Sequence, residues 1–232
     1  TKNASNSVHR GARMNNTSQF HPDETMLLEF SAGTLATAPS ICVSAHLHFC
    51  SKCRTSLLRL DQVGAQLMSE ANPLELEDDA FDTVMANLDS SQQIPAVSDN
   101  KRTSYPFSVS KLMKNNLVSQ TWRRLSASVD VARFETGQKD FEVALHKICA
   151  GGKIPKHDHH GLEYTVVLKG SFSDESAVYR EGDFLVREPG DVHQPMGAQN
   201  GECICLSALS APIKLTNPFG FLMKPWLRIN PM

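Results

Sequence analysis

Apolar residues recur at three- and four-residue intervals in the first third of the chain and in short alternating runs in its second half. From Pro22 to about Leu88 the spacing is helical. "HPDETMLLEFSAGTL" carries Pro and acidic residues in its first turn, apolar Met26, Leu27 and Phe30, and Gly33 near its end, and so predicts a short helix. Leu57, Leu58, Leu60, Val63 and Leu67 predict a long helix after "TAPS". "PLELEDDAFDTVMANL" predicts a third, acidic on one side and apolar at Leu74, Phe81, Val84, Met85 and Leu88. The polar, unpatterned "DSSQQIPAVSDNKRTSYP" then reads as a linker. Beyond it "FEVALHKI", "EYTVVL", "DFLVRE" and "CICLSAL" predict strands, with turns at Gly151-Gly152, Glu181-Gly182 and Pro189-Gly190, as in a sandwich or barrel. The expectation is two domains: a flexible polar tail over 1–20, an all-α domain over 21–88, a linker over 89–105 and an all-β domain over 106–232. The apolar end "KLTNPFGFLMKPWLRINPM" is expected to pack on a face of the β domain.

Composition narrows the function classes. The chain has 232 residues, 41% of them apolar and 21% charged, as in ordinary globular proteins. A net charge of −2 lacks the basic footprint of a nucleic-acid binder, so no direct nucleic-acid partner is expected. No apolar run approaches the roughly 18 residues of a membrane span, and the polar opening is not a secretory signal. Six cysteines include Cys50-x-x-Cys53 with a histidine four residues upstream, a spacing that predicts a reducing cytoplasm and a thiolate-bound metal.

That cluster, "HLHFCSKC", offers His46, Cys50 and Cys53 at i, i+4 and i+7, within about 60° of one another on a helix; His48 points away. Donors spread along a straight helix do not converge on one ion. A break is therefore expected near Phe49 to Ser51, with Ser51 capping the helix that continues. Three ligands leave a position open and four close it. His21, before the first helix, and Cys42, one turn before His46, are the candidates for the fourth; Cys42 would stretch the set further along the axis. The competing reading is a pair of buried thiols or a redox pair, with Cys42 a small core residue.

A second cluster lies in "GGKIPKHDHHGLEYTVVLKG". On a strand His157 and His159 share a face, Glu163 joins them after the turn at Gly161, and "EGDFLVREPGDVHQP" offers His193 from another strand. His160 would face away. Three imidazoles and a carboxylate suit Zn, Fe, Mn, Ni or Cu. Cys203 and Cys205 would share one strand face, either as redox-responsive thiols or as buried core residues.

"HPDETMLLEFSAGTL" followed by His46-x-x-x-Cys50-x-x-Cys53-Arg54 resembles the zinc-binding anti-sigma domain. G-x5-H-x-H-x3-E-x6-G, met in full from Gly151 to Gly170, resembles the first cupin motif. The second is met at Gly190-x-x-His193 only, with its proline one place late and Gly197 where the family has asparagine. Together they resemble ChrR-type anti-sigma factors, over about residues 21 to 212. The resemblance implies a small helical anti-sigma domain before a cupin jelly-roll barrel. It also implies a structural zinc on His21, His46, Cys50 and Cys53, and a second ion, zinc again, on His157, His159, Glu163 and His193. The implied partner is an extracytoplasmic-function-type sigma factor, held until singlet oxygen or an organic hydroperoxide acts at the cupin; no catalysis is implied. The acidic run Glu75, Glu77, Asp78, Asp79 and Asp82 would face a basic patch on that partner, or simply water. The rival reading is a metal-dependent cupin dioxygenase or isomerase with a helical appendage.

Overall fold

The computed structural model describes residues 18–90, 105–115 and 122–216. Most of the expected polar tail, most of the expected linker and the apolar segment after Thr216 lie outside the described residues. Helix α1 (Glu24–Ser31) begins at Asp23, whose side chain accepts the Met26 amide at 2.7 Å. It ends at Ser31, two residues before Gly33, whose φ of +71° turns the chain away. Helix α2 (Thr37–Phe49) buries Ala38, Cys42, Val43, Ala45 and Leu47. Cys50 alone then leaves the helical region (φ −97°, ψ 107°), and α3 (Ser51–Glu70) starts at once. The expected break is present, but its cap is Cys50 and not Ser51. The Cys50 sulfur accepts the Cys53 amide at 3.4 Å, while Ser51 is already helical.

Helix α4 (Ala80–Ser90) starts well after Pro73. Like charges one turn apart, Glu75 with Asp79 and Asp78 with Asp82, oppose an earlier start. A fifth helix, α5 (Phe107–Asn115), stands where only strands were expected, so the second half is not all-β. Its Val109 is fully buried in the core it shares with α2. Among the described residues no helix is long and apolar enough to cross a membrane.

The strands are β1 (Arg123–Arg124), β2 (Val129–Phe134), β3 (Glu142–Ile148), β4 (His157–His159), β5 (Glu163–Lys169), β6 (Ser171–Ser173), β7 (Val178–Arg180), β8 (Phe184–Arg187), β9 (Val192–His193), β10 (Met196–Gly197), β11 (Cys203–Leu209) and β12 (Ile213–Leu215). They form an antiparallel six-stranded sheet in the order β1-β2-β3-β11-β5-β8 and two small antiparallel sheets, β10-β6-β7 and β12-β4-β9. The expected closed barrel is not found among the described residues. Pro195, with no amide to donate, stands between β9 and β10, and Pro155 lies two residues before β4.

The two faces of the large sheet explain the nearly unbroken apolar runs in β5 and β11. Tyr164, Val166 and Leu168, with Ile204, Leu206 and Ala208, join Cys42, Val43 and Leu47 of α2 in one core. Val167, Cys203 and Cys205 pack on the opposite side with Ile148, Phe172 and Leu185. Each such Val or Leu contributes about 1.5–3 kcal/mol by leaving water. The helices and the sheet therefore share a core.

Candidate metal centres

The first cluster assembles at the α2–α3 junction. By swinging out of helical geometry, Cys50 turns its sulfur back towards Cys53, and the Arg54 guanidinium donates to the carbonyls of Leu47 (2.6 Å) and His48 (3.2 Å), closing the end of α2. His21 enters from the segment before α1, its Nδ1 lying 3.5 Å from both cysteine sulfurs. One donor atom from each of His21, His46, Cys50 and Cys53 falls within 4.8 Å of all the others. Four donors around one ion at about 2.0–2.3 Å would stand roughly 3.3–3.8 Å apart at the corners of a tetrahedron, the scale of the 3.5 Å separations here.

Protonation supports the same reading of the donors. His46 Nδ1 lies 2.6 Å from the Gly182 carbonyl and donates to it, so Nε2 is left as an unprotonated acceptor, buried and without a hydrogen-bond partner. Burial pushes His46 down to about 4. Burial also pushes the Cys53 thiol up to about 12, with the Cys50 sulfur beside it adding to the shift. His21 is lowered by burial and then by the charge of Lys52. One buried and one half-buried imidazole, both shifted towards the neutral form, and two thiols that a bound cation would deprotonate make an N2S2 set, the donor chemistry of a closed zinc-type site.

The second cluster is built on the β12-β4-β9 sheet. The alternation of β4 puts His157 and His159 on one face, and the register of β4 with β9 sets His193 opposite His157. His193 Nε2 stands 3.1 Å from Nε2 of both His157 and His159. Each Nδ1 is tied outward: His157 to the Pro155 carbonyl at 2.9 Å, His159 to Glu163 at 3.2 Å, His193 to Asp174 at 3.0 Å. Tethers of this kind fix the tautomer and aim the remaining lone pairs inward. Burial lowers His157 to about 4 and also lowers His159. Burial raises Glu163, yet the neighbouring His159 and the Thr165 hydroxyl outweigh it and bring its carboxyl below the usual value.

Glu163 stands outside the converging trio. Its carboxylate spans Thr165 (2.7 Å) and His159, and Thr165 in turn meets Ser207 at 2.7 Å. Beside the trio opens a cleft of about 120 Å³, walled chiefly by apolar Val129, Ile148, Ile154, Phe172, Leu185 and Ile213.

The family described as the ChrR cupin-like domain matches residues 115–211. The anti-sigma-E factor ChrR of Cereibacter sphaeroides is 34% identical over 213 residues, 92% of this chain and 100% of the relative. The chain belongs to the ChrR family of anti-sigma factors. A crystal structure of Rhodobacter sphaeroides SigE in complex with the anti-sigma ChrR superposes with a TM-score of 0.71 at 33% identity, covering 83% of this chain and 100% of that one.

Within this ChrR-family chain the other candidates separate cleanly. Cys42 is fully buried in the core and donates to the Tyr164 carbonyl at 3.7 Å, apart from the His/Cys group. His48 and His160 are exposed. Cys203 and Cys205 share a face of β11, their sulfurs 3.6 Å apart; the Cys203 contact and burial keep the Cys205 thiol protonated. Sequence reasoning missed Asp174, whose side chain is buried and receives His193 Nδ1, Arg187 Nη2 (2.6 Å) and the Ser176 and Ala177 amides. No spacing rule links it to His193, nineteen residues on.

Proposed function

We propose that this ChrR-family chain is an anti-sigma factor. Its helical part, over about 21–88, holds an extracytoplasmic-function-type sigma factor and blocks transcription, and its β part, over about 106–232, governs release. The observation that carries the first half is the uncovered hydrocarbon on α3 and α4. Leu67 (63%) and Met68 (77%) on α3, and Phe81 (72%) and Leu88 (60%) on α4, are exposed, large apolar side chains that a chain without a partner has little reason to leave in water. A partner covering these side chains removes them from water. The solved relative, held in a complex with SigE, supports the same arrangement here.

His21, His46, Cys50 and Cys53 take a structural zinc that stiffens the α2–α3 junction under this surface. His157, His159 and His193 take a second divalent ion, with Glu163, now on His159, as its fourth donor. The apolar cleft beside that ion admits a small apolar oxidant such as an organic hydroperoxide, and change there loosens the sigma factor. The opposing view, a metal enzyme, rests on the same cleft beside the same three imidazoles.

Both are tested on full-length protein. It is expected to contain two metal ions per chain, one lost in Cys50→Ala and the other in His157→Ala. It is expected also to suppress transcription by a sigma factor recovered with it from its host. Recovery without any sigma factor, together with turnover of a small organic substrate, would favour the enzyme.

A further inference from the structure

The His/Cys group has a set of supports that come from the β half, at the turn between β7 and β8. Gly182 supplies the carbonyl that His46 Nδ1 meets at 2.6 Å. Asp183, buried, accepts the Gln19 amide at 2.6 Å and the Phe20 amide at 3.2 Å on one carboxylate oxygen, and the Arg180 amide at 2.8 Å on the other. The Phe184 amide donates to the Phe20 carbonyl at 3.1 Å, and the Phe20 ring lies 5.0 Å from that of Tyr179. The residues leading into His21 are thus fastened to the turn. The Phe184 ring meets the His46 imidazole edge-on at 5.8 Å.

We propose that Gly182 and Asp183 are positioning residues of the His/Cys metal centre: the β half hangs both of its imidazoles, His46 through a carbonyl and His21 through the strap Gln19–Phe20. The two sulfurs come from the α2–α3 junction, so the centre joins the two halves of the molecule. Gly182 is required for this approach. Its φ is +90°, and a Cβ there would lie 2.7 Å from Phe49 Cβ and 2.7 Å from Ser18 Oγ. Moving the turn away to admit a side chain would carry its carbonyl away from His46. A ligand imidazole whose outer nitrogen loses its acceptor also loses its fixed tautomer and some of its basicity.

The inference rests on the metal reading of the His/Cys group, and the experiment separates the two. Full-length protein is titrated with cobalt(II), whose thiolate charge-transfer band reports the His/Cys centre apart from the imidazole trio. Asp183→Ala and Gly182→Ala are expected to weaken cobalt binding at that band by about 10–100-fold, with uptake at the trio unchanged. Asp183→Asn keeps the volume and one acceptor for the strap amides. It is expected to fall between these and wild type, and it carries the test if the truncations do not fold. Folded variants that all bind cobalt at the thiolate band as wild type does overturn the proposal. Wild-type protein without such a band overturns the metal reading itself, and the proposal with it.

Discussion

His46 and His157 are the residues in which burial speaks most plainly. Burial pushes both down to about 4, from an ordinary value of 6.5. Between those values an unfolded chain takes up protons that the folded chain refuses, so stability rises with pH across that window and is flat above it, as far as these two groups are concerned. The slope is about 1.4 kcal/mol per pH unit for each histidine. Metal-stripped full-length protein should therefore lose melting temperature steadily as the pH is lowered from 6.5 to 4, and a level profile there would count against neutral buried imidazoles. Spacings of i, i+4, i+7 and period 2 made His46, Cys50, Cys53, His157 and His159 legible as groups, whereas no such spacing reaches His21 or His193, and Glu163 stands apart from the trio. The outward tethers of the imidazoles were not legible. Gly182 and Asp174 act on His46 and His193 across 136 and 19 residues, distances at which no local pattern survives.

Helices and strands were legible wherever one physical cause dominated. The strands "EYTVVL" and "CICLSAL" stand out because both faces of the large sheet are covered, and α1 because Asp23 and Gly33 mark its ends. The start of α4 misled because its apolar spacing runs on backwards through acidic residues that repel one turn apart. The cap of α3 misled because serine is the usual choice there, and a sulfur that also belongs to the His/Cys group took the place. The apolar stripe of α4 has a direct test. Phe81→Glu with Val84→Glu should abolish sigma-factor capture while changing the melting temperature little, since exposed substitutions usually cost within about 0.5 kcal/mol. Capture that survives both charges would move the partner to another surface.

At the scale of the whole molecule, change of periodicity suggested two halves, and the packing joins them. A boundary in pattern reports local structure, whereas α2 against β5 and β11 is a contact between segments more than a hundred residues apart. Val43, Leu47, Val166 and Leu206 occupy one core, so helical and β signals should melt together in a single transition for the full chain. Two resolved transitions, one reported by helix content and one by the tyrosines of the sheet, would show the halves to be energetically separate.

The shared core also bears on how such a chain can be remodelled in descent. A gene fusion that spliced a different receptor after α4 would carry over the helical segment with Ala38, Val43 and Leu47 suddenly facing water. The newcomer would have to offer a hydrocarbon wall shaped to that stripe, or the stripe itself would have to turn polar. Exchange of parts in this lineage is thus constrained by the underside of one thirteen-residue helix.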